Sequence, residues 1–222
     1  MRPRTSPHYS SPESPTLVEE HSLASQGFCR IAGLDEAGRG SWAGPMVTAA
    51  VCLPLHRDGL AQQLDGVRDS KQLSPAARDR LFGRVIECAE DVGIGVVPPE
   101  TIDKLGLTRA WELAMTWALD DMALRPDHLL VDAFLIKTCP LPQRPLIHGD
   151  CISLSIAAAS IIAKVTRDRM MVAADLVYPG YGFAIHKGYG TAAHRRALEA
   201  GGPCAYHRRS FAPLRNEWRL PL

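Results

Sequence analysis

The chain is predicted to fold as an α/β domain, a central mixed β-sheet flanked by helices, followed by a C-terminal region of helix and loop. Three observations predict it. Two short apolar strands joined by a glycine-rich turn come first. Strand-like and helix-like segments then alternate, and the last strong signal is one long apolar helix. A sheet with two hydrophobic faces must bury both, and helices from the same chain are the natural cover.

Residues 1–27 are rich in Ser and Pro, as in Ser6-Pro7, Ser11-Pro12 and Ser14-Pro15, and show no sustained period. A mobile tail is expected there, with one folded domain over 28–222. Residues 28–36 and 45–53 read as strands of a hairpin. Ser74-Pro75 offers a capping hydroxyl followed by proline at the first helical position, which predicts a helix to about residue 89. Residues 92–97 are strand-like. Residues 107–124 carry helical periodicity, closed by Arg125-Pro126. Residues 128–134 contain the apolar run Leu129-Leu130-Val131 of a buried strand, and 145–148 predicts the last strand. Residues 153–177 predict the longest helix, whose first half is apolar nearly all round and so should be buried on several sides. The stretch 178–213, rich in Gly, aromatic and basic residues, is where substrate contacts are expected.

The 222 residues are 46% hydrophobic and 22% charged, with a formal net charge of +1. That balance alone decides nothing about a polyanionic partner, but its distribution does more. Residues 1–163 carry 15 Lys/Arg against 20 Asp/Glu, whereas 164–222 carry 10 against 4. An acidic body beside a basic quarter suits a site that holds divalent cations next to a phosphate backbone, although a solvated basic face would read the same. The six cysteines form no CxxC pair, several lie in apolar runs, and no segment approaches a membrane span or a signal peptide. The expectation is a cytoplasmic protein, free of membrane, and a monomer.

Four carboxylates stand where strands or loops end: Asp35, Glu36, Asp132 and Asp150. Adjacent side chains of a regular strand point to opposite faces, so Asp35 and Glu36 are expected to share one site only if the chain leaves strand geometry there, which the glycines of Gly38-Arg39-Gly40 permit. Asp150 could equally cap the long helix. Carboxylates gathered together repel, and hard divalent cations such as Mg²⁺ or Mn²⁺ are the usual remedy. Two such ions about 4 Å apart are the arrangement that serves phosphodiester cleavage.

Asp35-Glu36-Ala37-Gly38-Arg39-Gly40 resembles the first signature of the ribonuclease HII family. The resemblance continues through Asp69-Ser70-Lys71-Gln72-Leu73, Val131-Asp132-Ala133 and Gly149-Asp150. It is strongest from Ser155 to Asp168 (SIAAASIIAKVTRD), and runs on through His186-Lys187-Gly188-Tyr189-Gly190-Thr191 to His207-Arg208-Arg209-Ser210-Phe211. These blocks stand in the family's order over roughly 29–214. The resemblance implies an RNase H-like fold and a two-metal site on Asp35, Glu36, Asp132 and Asp150. It implies hydrolysis of the RNA strand of RNA–DNA hybrids and incision 5′ to single ribonucleotides in duplex DNA. The products would carry 3′-hydroxyl and 5′-phosphate ends, and the biological setting would be ribonucleotide removal in DNA replication and repair. It also implies that Gly38-Arg39-Gly40 reads the 2′-hydroxyl and that Tyr189 packs on the next sugar.

Ser70, Lys71, Lys164 and Arg167 are expected phosphate contacts. Lys164 shares a helix face with Ser160 and Asp168. Asp168 could approach the metals or pair with Lys164 or Arg167. His186 and His207 could contact phosphate, support the site, or lie free on the surface. Ser41 stands where the family usually has proline, and His148 where it often has lysine. The related ribonuclease HIII reading would ask for an extra N-terminal domain and a lysine-type glycine turn.

Overall fold

The computed structural model describes residues 14–217; the first 13 residues of the expected tail lie outside the described residues. The elements run α1 (Val18–Ala24), β1 (Ile31–Ala37), β2 (Met46–Cys52), α2 (Leu60–Gln63), a 3₁₀ turn (Ser70–Gln72), α3 (Pro75–Cys88), β3 (Asp91–Val97), α4 (Pro99–Leu105) and α5 (Leu107–Asp120). Then come β4 (His128–Asp132), β5 (Gln143–Leu146), a second 3₁₀ turn (Gly149–Cys151), α6 (Leu154–Val177), α7 (Phe183–His186), α8 (Ala192–Gly201) and α9 (Leu214–Glu217).

The expected strands and long helices are present with ends shifted by a few residues, the last strand lying at Gln143–Leu146 rather than 145–148. The α5 helix stops at Asp120, four residues before the expected limit, and β4 stops at Asp132 because Ala133 turns to φ +63°. The cap expected at Ser74 forms, its Oγ accepting from Ala77 N–H, whereas α6 is capped by Ser153, whose Oγ accepts from Ile156 N–H.

The five strands lie in the order β3-β2-β1-β4-β5, with β1, β2 and β3 antiparallel and β4 and β5 parallel to β1. Strand parity divides the core. Ala32, Leu34, Leu129 and Val131 pack with Trp111, Ala114 and Ala118 of α5. The other face meets α6, whose Ala157, Ala158, Ile161 and Ile162 are fully buried against Ala49 and Val51. At Gly33 a Cβ would stand 2.2 Å from the carbonyl carbon of Ser155, so only glycine lets α6 lie this close to the sheet.

The tail expected over 1–27 is corrected over its last part. Residues 18–24 form α1, and Thr16 pairs with the start of α6: its N–H donates to the Ile152 carbonyl (3.0 Å) and its carbonyl accepts from Leu154 N–H (2.9 Å). Glu20 is fully buried. Its Oε1 accepts from Ser153 Oγ (2.6 Å), Ser155 Oγ (2.7 Å) and Ser155 N–H (2.9 Å). A buried carboxylate at a helix N-terminus complements both the free N–H groups and the helix dipole. Glu20→Ala is therefore expected to cost about 2–4 kcal/mol, since it strips the shared acceptor from three buried donors. Thermal and urea unfolding measure this, and a loss under about 0.5 kcal/mol would mean the clasp is dispensable.

Candidate active site

Strand register brings the carboxylates together. Leu34 pairs with Val131 in parallel β1–β4, so the next residues, Asp35 and Asp132, stand side by side on the α6 side where the β1–β4 pairing ends. Glu36 has the opposite parity and faces α5, where its Oε2 accepts from Trp111 Nε1–H at 2.9 Å. The expectation that the chain must leave strand geometry at Asp35-Glu36 is corrected. Regular pairing continues through Ala37, opposite Val47. Both carboxylates reach one cavity because it opens at the end of the sheet, where the two faces meet. Asp150 follows β5 in the second 3₁₀ turn rather than at the cap of α6, a position Ser153 takes. Gly149 N–H donates to Asp132 Oδ1 at 2.7 Å and ties the Asp150 turn to the end of β4.

A cavity of about 570 Å³ is lined by Asp35, Glu36 and Asp132, by Gly38-Arg39-Gly40, and by Ser70, Lys71, Lys164 and Tyr189. Burial, then Glu36 and Asp132, hold the Asp35 carboxyl well above its ordinary 3.8. Burial also raises Glu36, opposed by the Trp111 hydrogen bond and by Arg39. Burial raises Asp150, opposed by Lys71. Burial alone would lower Lys71, but Asp150, Asp35 and Asp69 outweigh it and raise it above 10.5. Its Nζ lies 3.4 Å from Asp150 and 3.6 Å from Asp69 while its side chain stays largely exposed.

These shifts set a pH dependence. Carboxyls whose folded pKa is raised bind protons more tightly when folded, so stability falls as pH rises from about 4 through the raised values. The Lys71 contribution is constant across that window, since it fades only above 10.5. In EDTA the protein should be less stable at pH 8 than at pH 5, and Asp150→Asn should flatten the slope. Urea unfolding at the two pH values checks both.

The other expected contacts divide. Lys164 ion-pairs with Asp168 (2.7 Å) and lies 5.7 Å from the Tyr189 ring, inside the cavity. Asp168 is thus engaged with Lys164, and with Arg78 at 3.8 Å. Ser70 is buried, its Oγ accepting from Ser160 Oγ at 2.8 Å. Arg167 is corrected as a phosphate contact. It is fully buried and donates to the carbonyls of Pro45 (2.8 Å), Lys187 (2.9 Å) and Ala43 (3.0 Å). Every polar nitrogen of the guanidinium is spent on backbone. A Cβ on Gly38 would stand 1.8 Å from its Nε, so Arg167 forms the floor under the glycine turn, where Gly38 adopts φ +85°. A free-surface role for His207 is likewise excluded by its burial. His186 is half-buried and bonds backbone, its Nε2 lying 2.7 Å from the Tyr181 carbonyl. The buried Oγ of Ser41 has no partner, and His148 is an exposed αL residue preceding the Asp150 turn.

Four contributors were not singled out from sequence. Trp111 holds Glu36, and Arg78 donates to the carbonyls of Ser70 (2.9 Å) and Leu73 (2.5 Å). Arg208 donates to the Arg39 carbonyl (2.9 Å), and His194 bonds to Tyr189. Trp111 and Arg208 meet partners 75 and 169 positions away, which no local pattern carries, and the contacts of Arg78 and His194, though short in sequence, depend on the path of irregular turns. Arg39 itself stands over Phe134 (5.0 Å) and Trp111 (5.7 Å), 3.9 Å from Glu36.

Among the described residues, no group of three His, Cys, Asp or Glu is arranged to hold a metal ion, all six cysteines are free, and no helix is long and apolar enough to cross a membrane. What the site offers is a set of hard oxygen donors at the end of a mixed sheet, beside a glycine turn and basic side chains. Fold and site together define an endonuclease of the ribonuclease H class. The family model described as Ribonuclease HII matches residues 32–214. The chain belongs to the ribonuclease HII family, and that membership supports endoribonuclease activity on RNA–DNA hybrids.

It is 52% identical over 204 residues to the ribonuclease HII of Chloroflexus aggregans, covering 90% of this chain and 95% of that one. It is 51% identical over 196 residues to that of Geobacillus kaustophilus, covering 88% and 73%. Among solved structures it resembles the ribonuclease H2 of Pyrococcus horikoshii (TM-score 0.72, 29% identity, 84% of this chain and 95% of that one). It also resembles the RNase HII in a PCNA:RNase HII complex from Archaeoglobus fulgidus (TM-score 0.67, 26% identity, 87% and 96%). Bst-RNase HIII in complex with Mn²⁺ shares the fold (TM-score 0.67, 23% identity, 94% and 74%).

Proposed function

We propose that the protein cuts on the 5′ side of ribonucleotides, including a single ribonucleotide embedded in duplex DNA, and leaves 3′-hydroxyl and 5′-phosphate ends. The biological role would be removal of ribonucleotides from DNA during replication and repair. The observation that carries the reading is one cavity lined by Asp35, Glu36 and Asp132, with Gly38-Arg39-Gly40 and Tyr189 on its walls.

To tell ribose from deoxyribose at one position, a protein must touch the 2′-hydroxyl. Gly40 is exposed, with nothing within 4 Å of where a Cβ would stand, so the turn can bring its backbone to a sugar. Tyr189 presents a half-exposed ring suited to packing on the neighbouring deoxyribose. Lys71 and Lys164 would meet phosphates. A second cavity of about 540 Å³ shares Arg78, Lys164 and Tyr189 with the first and adds Arg169 and Lys187, which gives a duplex a basic path away from the site.

The donor set fits Mg²⁺ or Mn²⁺. It is all oxygen, and the burial and, after it, the mutual repulsion that raise Asp35, Glu36 and Asp150 are what divalent cations would offset. Asp35, Glu36, Asp132 and Asp150 would hold two ions. The chemistry expected of a bound pair is activation of a water and stabilisation of the leaving 3′-oxygen.

A labelled DNA duplex with one ribonucleotide, incubated with Mg²⁺ or Mn²⁺, tests the proposal. The expected result is a cut on the 5′ side of the ribonucleotide that EDTA abolishes. Cleavage of long hybrids alone would move the reading towards ribonuclease HIII. Binding without cleavage of either substrate would favour a non-catalytic binder.

A further inference from the structure

Behind Tyr189 lies a buried cluster of imidazoles that the proposed chemistry does not use. His194 and His207 are buried, with their Nε2 atoms 2.9 Å apart. His194 Nδ1 lies 3.0 Å from the Tyr189 carbonyl, and Cys204 N–H points at His207 Nδ1 from 3.1 Å.

The two ends of this chain dictate its protons. A backbone N–H only donates, so His207 Nδ1 must be the acceptor and the His207 proton sits on Nε2. That proton is given to His194 Nε2. The His194 proton therefore sits on Nδ1 and goes to the Tyr189 carbonyl, which only accepts. Each imidazole is in one tautomer, and the chain runs in one direction from the Cys204 N–H to the Tyr189 carbonyl. An added proton would set two N–H groups against each other across 2.9 Å. Burial above all, and for His207 next the His194 ring, push the two imidazoles down to about 4 and about 3, so both are neutral near pH 7.

The ring of His186 stacks on His194 at 4.4 Å between centroids, and its Nδ1 accepts from Gly188 N–H at 3.2 Å. The Tyr189 N–H donates to the His186 carbonyl at 3.0 Å, and its carbonyl also accepts from Thr191 N–H at 2.8 Å. The Tyr189 backbone is thus gripped on both sides, while its half-exposed ring lines the cavity beside Lys164 and Arg167.

We infer that His194 and His207 are positioning residues, whose neutral imidazole chain fixes the height of Tyr189 and so tunes selectivity for a ribose–deoxyribose junction. This rests on the junction-packing role proposed for Tyr189. The pair reaches Tyr189 only through a backbone carbonyl, which explains why two histidines are buried with no carboxylate to orient them. A displacement of a substrate-positioning group by about 1 Å can cost up to about a hundredfold in rate.

The test is a double-mutant cycle on two substrates, a DNA duplex with one embedded ribonucleotide and a long RNA–DNA hybrid. His194→Phe keeps the ring and its stacking but removes the chain. It should lower kcat/KM on the embedded ribonucleotide by about tenfold or more, and by much less on the hybrid. His194→Asn can restore a donor near Nδ1 and should recover part of the loss. In a Tyr189→Ala background His194→Phe should add nothing, because the two act through one group. Should His194→Phe fold poorly, His207→Phe removes the donor to His194 Nε2 and breaks the same chain one link further back. Imidazole ¹⁵N shifts give a readout independent of activity, with the proton expected on Nδ1 of His194 and Nε2 of His207.

Additive losses in the cycle, equal losses on both substrates, or the opposite tautomers would overturn the inference while leaving the proposed function intact. Failure of the wild-type protein to cut at the embedded ribonucleotide would overturn both, and is distinguished by its appearing without any mutation.

Discussion

Asp132→Asn is expected to lower hydrolysis by about 10²- to 10³-fold or more, the scale on which one preorganised electrostatic group acts, while duplex binding stays nearly unchanged. The substitution is well suited to separate chemistry from structure. Asp132 Oδ1 accepts the Gly149 N–H, and an asparagine carbonyl oxygen can keep that bond, so the turn carrying Asp150 should hold its place. What disappears is charge. Asp132 is one of the neighbours that raise Asp35, Glu36 and Asp150, so its neutralisation should leave the metal-free protein as stable as before or more so. Stabilisation by added Mn²⁺ or Mg²⁺ should shrink at the same time, because a ligand stabilises only in proportion to its affinity for the folded state. Single-turnover cleavage, fluorescence anisotropy on labelled duplex and thermal unfolding with and without metal measure the three quantities. A variant that cuts at the wild-type rate would remove Asp132 from the site.

The second large effect is expected at Arg167, and it is one of stability. Arg167→Lys replaces three directed donors, each bonded to a backbone carbonyl at 2.8–3.0 Å, by one ammonium that cannot reach all three. Leaving two buried carbonyls without donors should cost about 3–5 kcal/mol. That is a large share of the roughly 5–15 kcal/mol by which domains are stable. Arg167 also packs against Gly38 and stands 5.5 Å from the Tyr189 ring, so activity should fall with the fold. A phosphate contact would behave differently. It would leave stability unchanged and reduce the salt dependence of duplex binding by about one unit of slope. Urea unfolding together with a salt titration of binding decides between the two. A full-stability variant with a reduced slope would restore Arg167 to the interface.

The same residue shows where sequence reading stops. Periodicity places Lys164 and Arg167 in one apolar helix, and both are basic and near the same motif. Nothing within the helix says that Lys164 reaches the cavity while Arg167 is fully buried under Gly38. The difference is decided by what α6 packs against, namely the carbonyls of residues 43 and 45, more than 120 positions earlier in the chain. The α1 helix is a second case. Seven residues are too few to hold a helix by local hydrogen bonds. It exists because Glu20 is captured by Ser153 and Ser155, and the Ser-Pro texture before it says nothing of that partner.

The sequence by itself determined what local physics controls. The capped start of α3, the hairpin, the buried run of β4 and the four carboxylates at strand and loop ends are all readable, because caps, alternation and turn residues act within a few positions of themselves. The ordered motif set carried the family as well. Only the tertiary structure decided how these pieces meet. Parallel register sets Asp35 next to Asp132, strand parity sends Glu36 to Trp111 on the other face, and the path of the C-terminal loop closes a histidine chain behind Tyr189. The first two outcomes come from contacts between residues far apart in sequence and the third from the path of an irregular loop; all depend on the packed geometry and leave no periodic trace along the chain.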